Sequence, residues 1–196
     1  MDADLEQAAM LQGHLKHLEA RNTGCNTRRS EHTEVINALM CFRGIDITTA
    51  FGLAVEIGDW TRFTGSSIGA YLGLVPSEHS SGNTRSQGSI TKAGNSYARR
   101  LLVEAAWQHA RAYRGPGVPL RKQFDLVSSE TRARAEVWNR RLHHVWEQFE
   151  KRGKKPVKAN TAVARELAGW CWSVAAPLQE RAARSPIFTE AAMHAA

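Results

Sequence analysis

Residues 95–106 read Asn-Ser-Tyr-Ala-Arg-Arg-Leu-Leu-Val-Glu-Ala-Ala and predict an amphipathic helix. Leucine and alanine side chains fall at positions 101, 102, 105 and 106, and steps of three and four residues place them on one helical face. Asn95 or Ser96 is the predicted N-cap, because a short polar side chain can accept a hydrogen bond from a first-turn amide. The periodicity continues through Tyr113 and stops at Gly115-Pro116-Gly117.

Three shorter helices are predicted on the N-terminal side of this one. The first two are joined by a turn at Arg43-Gly44-Ile45-Asp46, with Gly58 as the C-cap of the second. This pair resembles a helix-hairpin-helix unit, in which amides at the start of the second helix hold a DNA phosphate. Asp46 also suits the N-cap of that helix, so a plain packing hairpin remains the alternative. The third short helix begins after Thr64 or Ser66.

Two longer helices are predicted on the C-terminal side, at 131–152 and 160–176, and the second is expected to end before Pro177. Apart from a short hairpin around 83–88, no alternation of apolar and polar residues is long enough to indicate a strand. The sequence therefore predicts an all-α, multi-helix fold.

The predicted domain occupies residues 31–176. A helical connector arm and its linker precede it at 1–30, and an alanine-rich tail at 177–196 is expected to be loose. Within the arm, residues 1–20 carry one apolar stripe over about two heptads, which favours a docking helix over a coiled-coil zipper.

The composition predicts a basic, cytoplasmic protein. The chain has 196 residues and a formal net charge of +7, with a pI of about 9.7. No apolar run approaches the roughly 18 to 20 residues of a membrane span, and the first residues are acidic where a secretory signal has Lys or Arg. Three cysteines form no CxxC pair, which argues against a disulfide framework or a zinc site. We expect no cofactor in this chain and no membrane partner.

Basic residues strongly outnumber acidic ones between positions 85 and 165. Such density favours a nucleic-acid partner, because Lys and Arg neutralise phosphates and release counterions. The alternative is an ordinary solvated helix surface. The tryptophans at 138, 146, 170 and 172 fall at helical spacing and are expected in the core, with Trp172 as the one nearest the surface. His143-His144 lacks a third ligand and is expected to be solvated.

Residues 74–94 form the long loop of the predicted fold and almost lack apolar side chains. Irregular loops beyond about 12 to 15 residues are uncommon in compact domains and are usually functional. This loop contains Ser80-Ser81-Gly82, followed by Arg85 and Lys92. A serine hydroxyl becomes a nucleophile when a base removes its proton and cations stabilise the developing charge. His79 is the candidate base, and an ordinary Ser-Ser-Gly turn is the alternative.

Several stretches, taken in order and spacing, resemble one known family. They lie at 43–46, 56–59, 62–63, 71–76, 80–82, 88–95 and 98–106, with a weaker match at 163–170. The combination resembles the C-terminal domain of the IS-one-ten group of insertion-sequence transposases, RuvC-like enzymes that are relatives of the pilin-gene invertase. With the weaker match, the resemblance covers about residues 31–176.

The resemblance implies DNA transposition by strand exchange through a covalent serine–DNA phosphodiester, guided by an element-encoded RNA. Ser81 matches the nucleophilic serine of that family, and Ser80 is the second choice. The residues expected to bind nucleic acid around it are Arg85, Lys92, Asn95, Arg99 and Arg100. The expected partners are DNA at the element ends and target, a guide RNA, and a RuvC-like half or a second copy of the chain.

Such transposases also contain an acidic RuvC-like half that binds Mg²⁺. Only about 30 residues precede the matching region here, so the sequence is expected to be a truncated transposase that is inactive without that half. Two other interpretations remain open. The chain is a DNA- or RNA-binding module without chemistry, or it is a structural helical partner whose basic face is incidental.

Overall fold

The computed structural model describes residues 31–78 and 87–184. These residues form seven α-helices and one two-stranded antiparallel hairpin, which confirms the all-α prediction. The elements in chain order are α1 (Glu31–Leu39), α2 (Ile47–Ile57), α3 (Ser67–Tyr71), β1 (Pro76–Glu78), β2 (Gln87–Ile90), α4 (Ser96–Ala106), a 3₁₀ turn (Trp107–Ala110), α5 (Val118–Phe124), α6 (Ser129–Lys151) and α7 (Pro156–Ala183). None of the described helices is long and apolar enough to cross a membrane.

Helix α7 lies at the centre of the fold and packs against α1, α3, α4 and α6. Its buried stripe consists of Val163, Leu167, Cys171, Val174 and Leu178, which recur at steps of three and four residues. Full burial of each large aliphatic side chain stabilises the fold by about 1.5 to 3 kcal/mol. Most of the described core therefore forms around one helix, and the other helices are arranged on its surface.

Helix α7 does not end before Pro177, so that prediction is wrong. It continues through the proline to Ala183, and Leu178 beyond it is buried. Pro177 cannot donate to the carbonyl of Ser173, four residues earlier. That carbonyl instead accepts a hydrogen bond from Nη1 of Arg134 on α6, at 3.4 Å. Packing on both sides of the proline outweighs the lost backbone hydrogen bond. The rest of the expected loose tail, residues 185–196, lies outside the described residues.

Helix α4 is shorter than its apolar periodicity predicts. It ends at Ala106 and tightens into the 3₁₀ turn, and the chain is no longer helical at Tyr113. The sequence also gave no indication of α5, which has only seven residues and exposes Val118. This helix is held by tertiary contacts: Phe124 is buried, and Gln123 donates to the backbone carbonyl of Asn37 at 3.0 Å.

Several predicted helix ends are confirmed. Asn95 is the N-cap of α4, and Gly58 is the C-cap of α2 at φ +65°. For α3, each of the two N-cap candidates, Thr64 and Ser66, has one feature of a cap. Ser66 occupies the cap position without a side-chain bond, whereas the Thr64 hydroxyl accepts from the Ser67 amide at 3.1 Å.

The predicted hairpin is present, but it is wider than the expected 83–88 segment, because β1 begins at Pro76 and β2 ends at Ile90. Its strands flank the segment 79–86, with Pro76 paired to Ile90 and Glu78 paired to Gln87. Strands of only three and four residues are too short for an alternation of apolar and polar side chains to be recognised in the sequence. The pairing brings residues 78 and 87 side by side, so both ends of the serine-containing segment start from one place.

Candidate nucleic-acid interface

The base of the hairpin is the best-defined part of the candidate site, and we call residues 71–78 and 87–94 the stem. Lys92 donates its amide hydrogen to the Gly73 carbonyl at 3.1 Å, and Thr91 donates to Val75 at 2.9 Å. Gly73 and Gly94 have φ angles of +63° and +71°. A Cβ on Gly94 would overlap the backbone carbonyl of Tyr71, and one on Gly73 would overlap that of Ala93. Only glycine permits this close approach of the two backbones.

Arg99 holds the stem together from α4. Its Nη1 donates to the carbonyl oxygens of Leu72 and Ala93, both at 2.9 Å. These two carbonyls belong to the two sides of the stem. Hydrogen bonds from a charged donor are stronger than neutral ones, so this contact fixes the stem on the helix. The Nη1 group is thus engaged within the protein, and binding of a phosphate by Arg99 stays a prediction.

Asn95 is similarly engaged. Its Oδ1 accepts from the Ala98 amide at 2.9 Å, and its Nδ2 donates to Glu56 Oε2 at 2.5 Å. The first bond caps α4, and the second ties the end of the stem to α2. Sequence reasoning missed Glu56 as the partner, although it lies within one of the stretches that match the transposase family. A phosphate contact by Asn95 remains a prediction.

Lys92 and Arg100 leave their charges at the surface beside the stem. Lys92 is exposed and has a left-handed backbone at φ +55°, which is uncommon for a residue with a side chain. The Arg100 guanidinium lies over the Tyr97 ring at 5.2 Å, and its Nε is 3.9 Å from Glu104. Both cations are accessible to an anionic ligand. The remaining candidates His79, Ser80, Ser81 and Arg85 lie outside the described residues.

The turn between α1 and α2 is arranged for packing. Asp46 Oδ1 accepts from the Thr49 amide at 2.8 Å, so the carboxylate occupies the position that a phosphate would take. Gly44, at φ +85°, lies against the backbone of Ala105 on α4. The geometry favours the packing hairpin over a helix-hairpin-helix phosphate site.

Most of the tryptophans belong to the core, as their spacing suggests. Trp146 is buried and stacks near Trp107, and Trp138 and Trp170 are in edge-to-face contact. Trp172 is partly buried and lines a groove of about 660 Å³ between α3, α6 and α7. The groove walls are mainly apolar, so they do not by themselves form a phosphate site.

The histidine pair has no metal-binding arrangement. His143 Nδ1 lies 3.0 Å from the carbonyl oxygen of His109, while His144 is exposed. Among residues 31–78 and 87–184, no three His, Cys, Asp or Glu side chains come close enough to hold a metal ion. The described residues therefore do not fit a magnesium site.

The chain is similar to known transposases. Residues 36–118 match the family model of the IS116/IS110/IS902 transposases. The chain is 44% identical over 144 residues to a Sinorhizobium fredii protein that bears the transposase name y4qE, and the match covers 72% of this chain and 36% of that protein. It is 38% identical to the transposase of insertion sequence element IS1328 from Yersinia enterocolitica, over 37% of this chain and 22% of that protein.

A further relative is the transposase of element IS1111A from Coxiella burnetii, 39% identical over 32% of this chain and 18% of that protein. The chain thus spans about a third or less of the length of these curated relatives. The family match runs from α1 to the start of α5 and includes the whole stem. Residues 36–118 belong to the IS116/IS110/IS902 transposase family.

Proposed function

We propose that this chain is the DNA-binding, serine-bearing part of an insertion-sequence transposase, with Ser81 as its nucleophile and Ser80 as the second choice. The observation that carries the proposal is the stem. Strand pairing joins residues 78 and 87, and the glycine contacts and the Arg99 clamp fix the stem, so both ends of the segment between them are attached to a fixed base. Nucleophilic catalysis requires such positioning of the reacting group.

In the proposed reaction the Ser81 Oγ attacks a DNA phosphorus atom. The Oγ–P bond forms, the hydroxyl proton passes to a base, and the bond from phosphorus to a deoxyribose oxygen breaks. That oxygen takes up a proton and leaves as a hydroxyl. The reverse attack by a hydroxyl of another strand releases the serine and joins the new ends. Surface cations beside the stem, Lys92 and Arg100, would stabilise the negative charge that develops on the phosphoryl oxygens.

Family members use Mg²⁺ bound by an acidic RuvC-like half, and the described residues do not fit such a site. We therefore assign the metal to that half, and the chemistry of this chain to its serine and cations. The partners in this proposal are DNA at element ends and target, a guide RNA, and a RuvC-like half or a second copy of the chain.

The test for Ser81 is formation of a covalent adduct. The purified chain is mixed with labelled element-end DNA and guide RNA, with and without the RuvC-like half and Mg²⁺, and denaturing gels detect protein-bound DNA. We expect an adduct in the complete mixture and a loss of at least a hundredfold in Ser81→Ala. Ser80→Ala, the matched control, should retain it. An undiminished adduct in Ser81→Ala would remove this residue from the mechanism.

A second candidate function is a nucleic-acid-binding module without chemistry. The exposed cations Lys92 and Arg100 favour it, because they can bind phosphates without any reaction at a serine. Salt-dependent binding without an adduct in the complete mixture would support this module over the transposase part.

A further inference from the structure

The exposed turn that joins α6 and α7, residues 151–158, carries a concentrated positive charge. We propose that this basic turn is a second binding site for the phosphodiester backbone of nucleic acid, next to the stem. The inference rests on the proposed function, because it extends the nucleic-acid surface of the same domain. Every residue of the basic turn is exposed. Its five cations are Lys151, Arg152, Lys154, Lys155 and Lys158.

The arginines of α6 have acidic partners, whereas the cations of the basic turn have none among the described residues. On α6, Arg134 and Arg140 form ion pairs with carboxylates one helical turn away, at 2.9 and 2.6 Å. Arg141 pairs with Glu166 across to α7, at 2.6 Å. Among the described residues, no ion pair involves any cation of the basic turn, and Glu150 is the only carboxylate directly beside it in sequence. The charge is therefore available to an external anion.

The helix dipole adds to this local excess. Lys154, Lys155 and Lys158 lie at the N-terminus of α7, where the backbone contributes a partial positive charge. The first turn of α7 contains no acidic residue, and its N-cap makes no side-chain hydrogen bond. Three cations at the positive end of a helix repel the dipole, and a bound polyanion would relieve that repulsion. The same cations would be stabilising at the opposite end.

The backbone of the basic turn is hydrogen-bonded, so the positions from which its charged side chains extend are fixed. Gly153 has a φ angle of +63° and donates to the Glu150 carbonyl at 2.9 Å. Lys154 donates to the Phe149 carbonyl at 3.0 Å. These two bonds close the end of α6 before Pro156 begins α7. Ordered cations lose less conformational freedom on binding than cations on a free loop.

The helix segments that flank the basic turn line the same groove as one residue of the stem. Val75, which directly precedes β1, lines the same groove as Phe149 on α6 and Ala162 on α7. Phe149 is two residues before the basic turn, and Ala162 is one helical turn after Lys158, about 6 Å along the axis. One nucleic-acid backbone that crosses this groove would therefore reach both the stem and the basic turn.

The salt dependence of binding tests this inference. The full chain is titrated against a fluorescein-labelled mixed-sequence DNA duplex and, separately, an RNA hairpin, over a series of salt concentrations. The test variant combines Lys154→Gln, Lys155→Gln and Lys158→Gln. The matched control combines Arg140→Gln, Arg141→Gln and Arg184→Gln, which removes the same charge from residues that have carboxylate partners. Circular dichroism confirms that all the proteins are folded.

Each phosphate contact contributes about 0.9 to the slope of log affinity against log salt on duplex DNA. We expect the slope of the test variant to be smaller by about 2.7, and that of the control to stay near the wild-type value. A reduced slope on RNA alone would assign the basic turn to an RNA backbone. Wild-type slopes in the test variant on both ligands would overturn the inference and leave the proposed function standing. If the wild-type chain binds neither ligand at low salt, both this inference and the proposed function are overturned.

Discussion

Two neighbouring arginines on α4 show how far the roles of identical side chains can diverge. Arg99 is partly buried and donates to two carbonyls of the stem, whereas Arg100 is exposed and contacts Tyr97 and Glu104. The two differ by one position, which is a rotation of about 100° around the helix. That rotation makes one arginine part of the fold and leaves the other at the surface.

Arg99→Gln is expected to destabilise the protein by about 1.5 to 3 kcal/mol, because it removes charged donors from two stem carbonyls. Arg100→Gln, the neighbouring control, should change stability by less than about 0.5 kcal/mol. Urea unfolding measures both effects. Hydrogen exchange should also show faster exchange of the Thr91 and Lys92 amides in Arg99→Gln alone. Equal stability losses in the two variants would contradict the clamp.

At the scale of elements, the stem depends on close backbone approach. Gly94 and Gly153 have similar left-handed φ angles, +71° and +63°, but only Gly94 lies against other backbone. A Cβ on Gly153 would meet no atom within 4 Å. The pair therefore separates two costs of a side chain, namely the unfavourable φ angle and the steric clash.

Gly153→Ala is expected to cost about 1 kcal/mol, the strain of a left-handed alanine. Gly94→Ala carries the same strain plus a collision with the Tyr71 carbonyl, so its cost should be larger by roughly 1 to 3 kcal/mol. Thermal and urea unfolding give the difference. A Gly94→Ala protein as stable as Gly153→Ala would show that the stem can open without loss. In that case the fixed base of the serine-containing segment would be in question.

At the scale of the whole molecule, one buried histidine couples folding to pH. His109 is fully buried, and neither ring nitrogen has a hydrogen-bond partner within the described residues. Burial, together with the nearby charges of Arg43 and His143, lowers the pKa of His109 from 6.5 to about 3. The folded state therefore holds this imidazole neutral at pH 7.

Because the folded-state pKa lies below the unfolded value, the unfolded chain binds one more proton between about pH 6.5 and pH 3. The contribution of the neutral imidazole to the free energy of unfolding is fully present above about pH 6.5. It falls as the pH decreases toward 3, by up to about 1.4 kcal/mol per pH unit. We expect His109→Leu to lose less stability than wild type between pH 7 and pH 4. His144→Gln, at an exposed site, should follow wild type. Parallel curves for His109→Leu and wild type would contradict this coupling.

The sequence alone determined the fold class, the main helices and the family. Their signals are local: apolar steps of three and four residues, and caps such as Asn95 and Gly58, act within one helix. The order and spacing of the motifs around Ser80-Ser81-Gly82 identified the transposase domain. The basic composition could be read directly as well.

Only the tertiary structure decided which polar residues belong to the fold and which remain at the surface. Arg99, Asn95 and Asp46 are satisfied by groups that are distant in sequence or set by backbone geometry, and composition cannot reveal such partners. Helix α7 passes through Pro177, and Nη1 of Arg134 on another helix donates a hydrogen bond to the freed carbonyl of Ser173. The basic turn likewise differs from the rest of the basic surface only because the arginines of α6 are paired with carboxylates. The local spacing of apolar residues determines where the helices form, whereas contacts between helices determine which charged side chains remain free to bind a ligand.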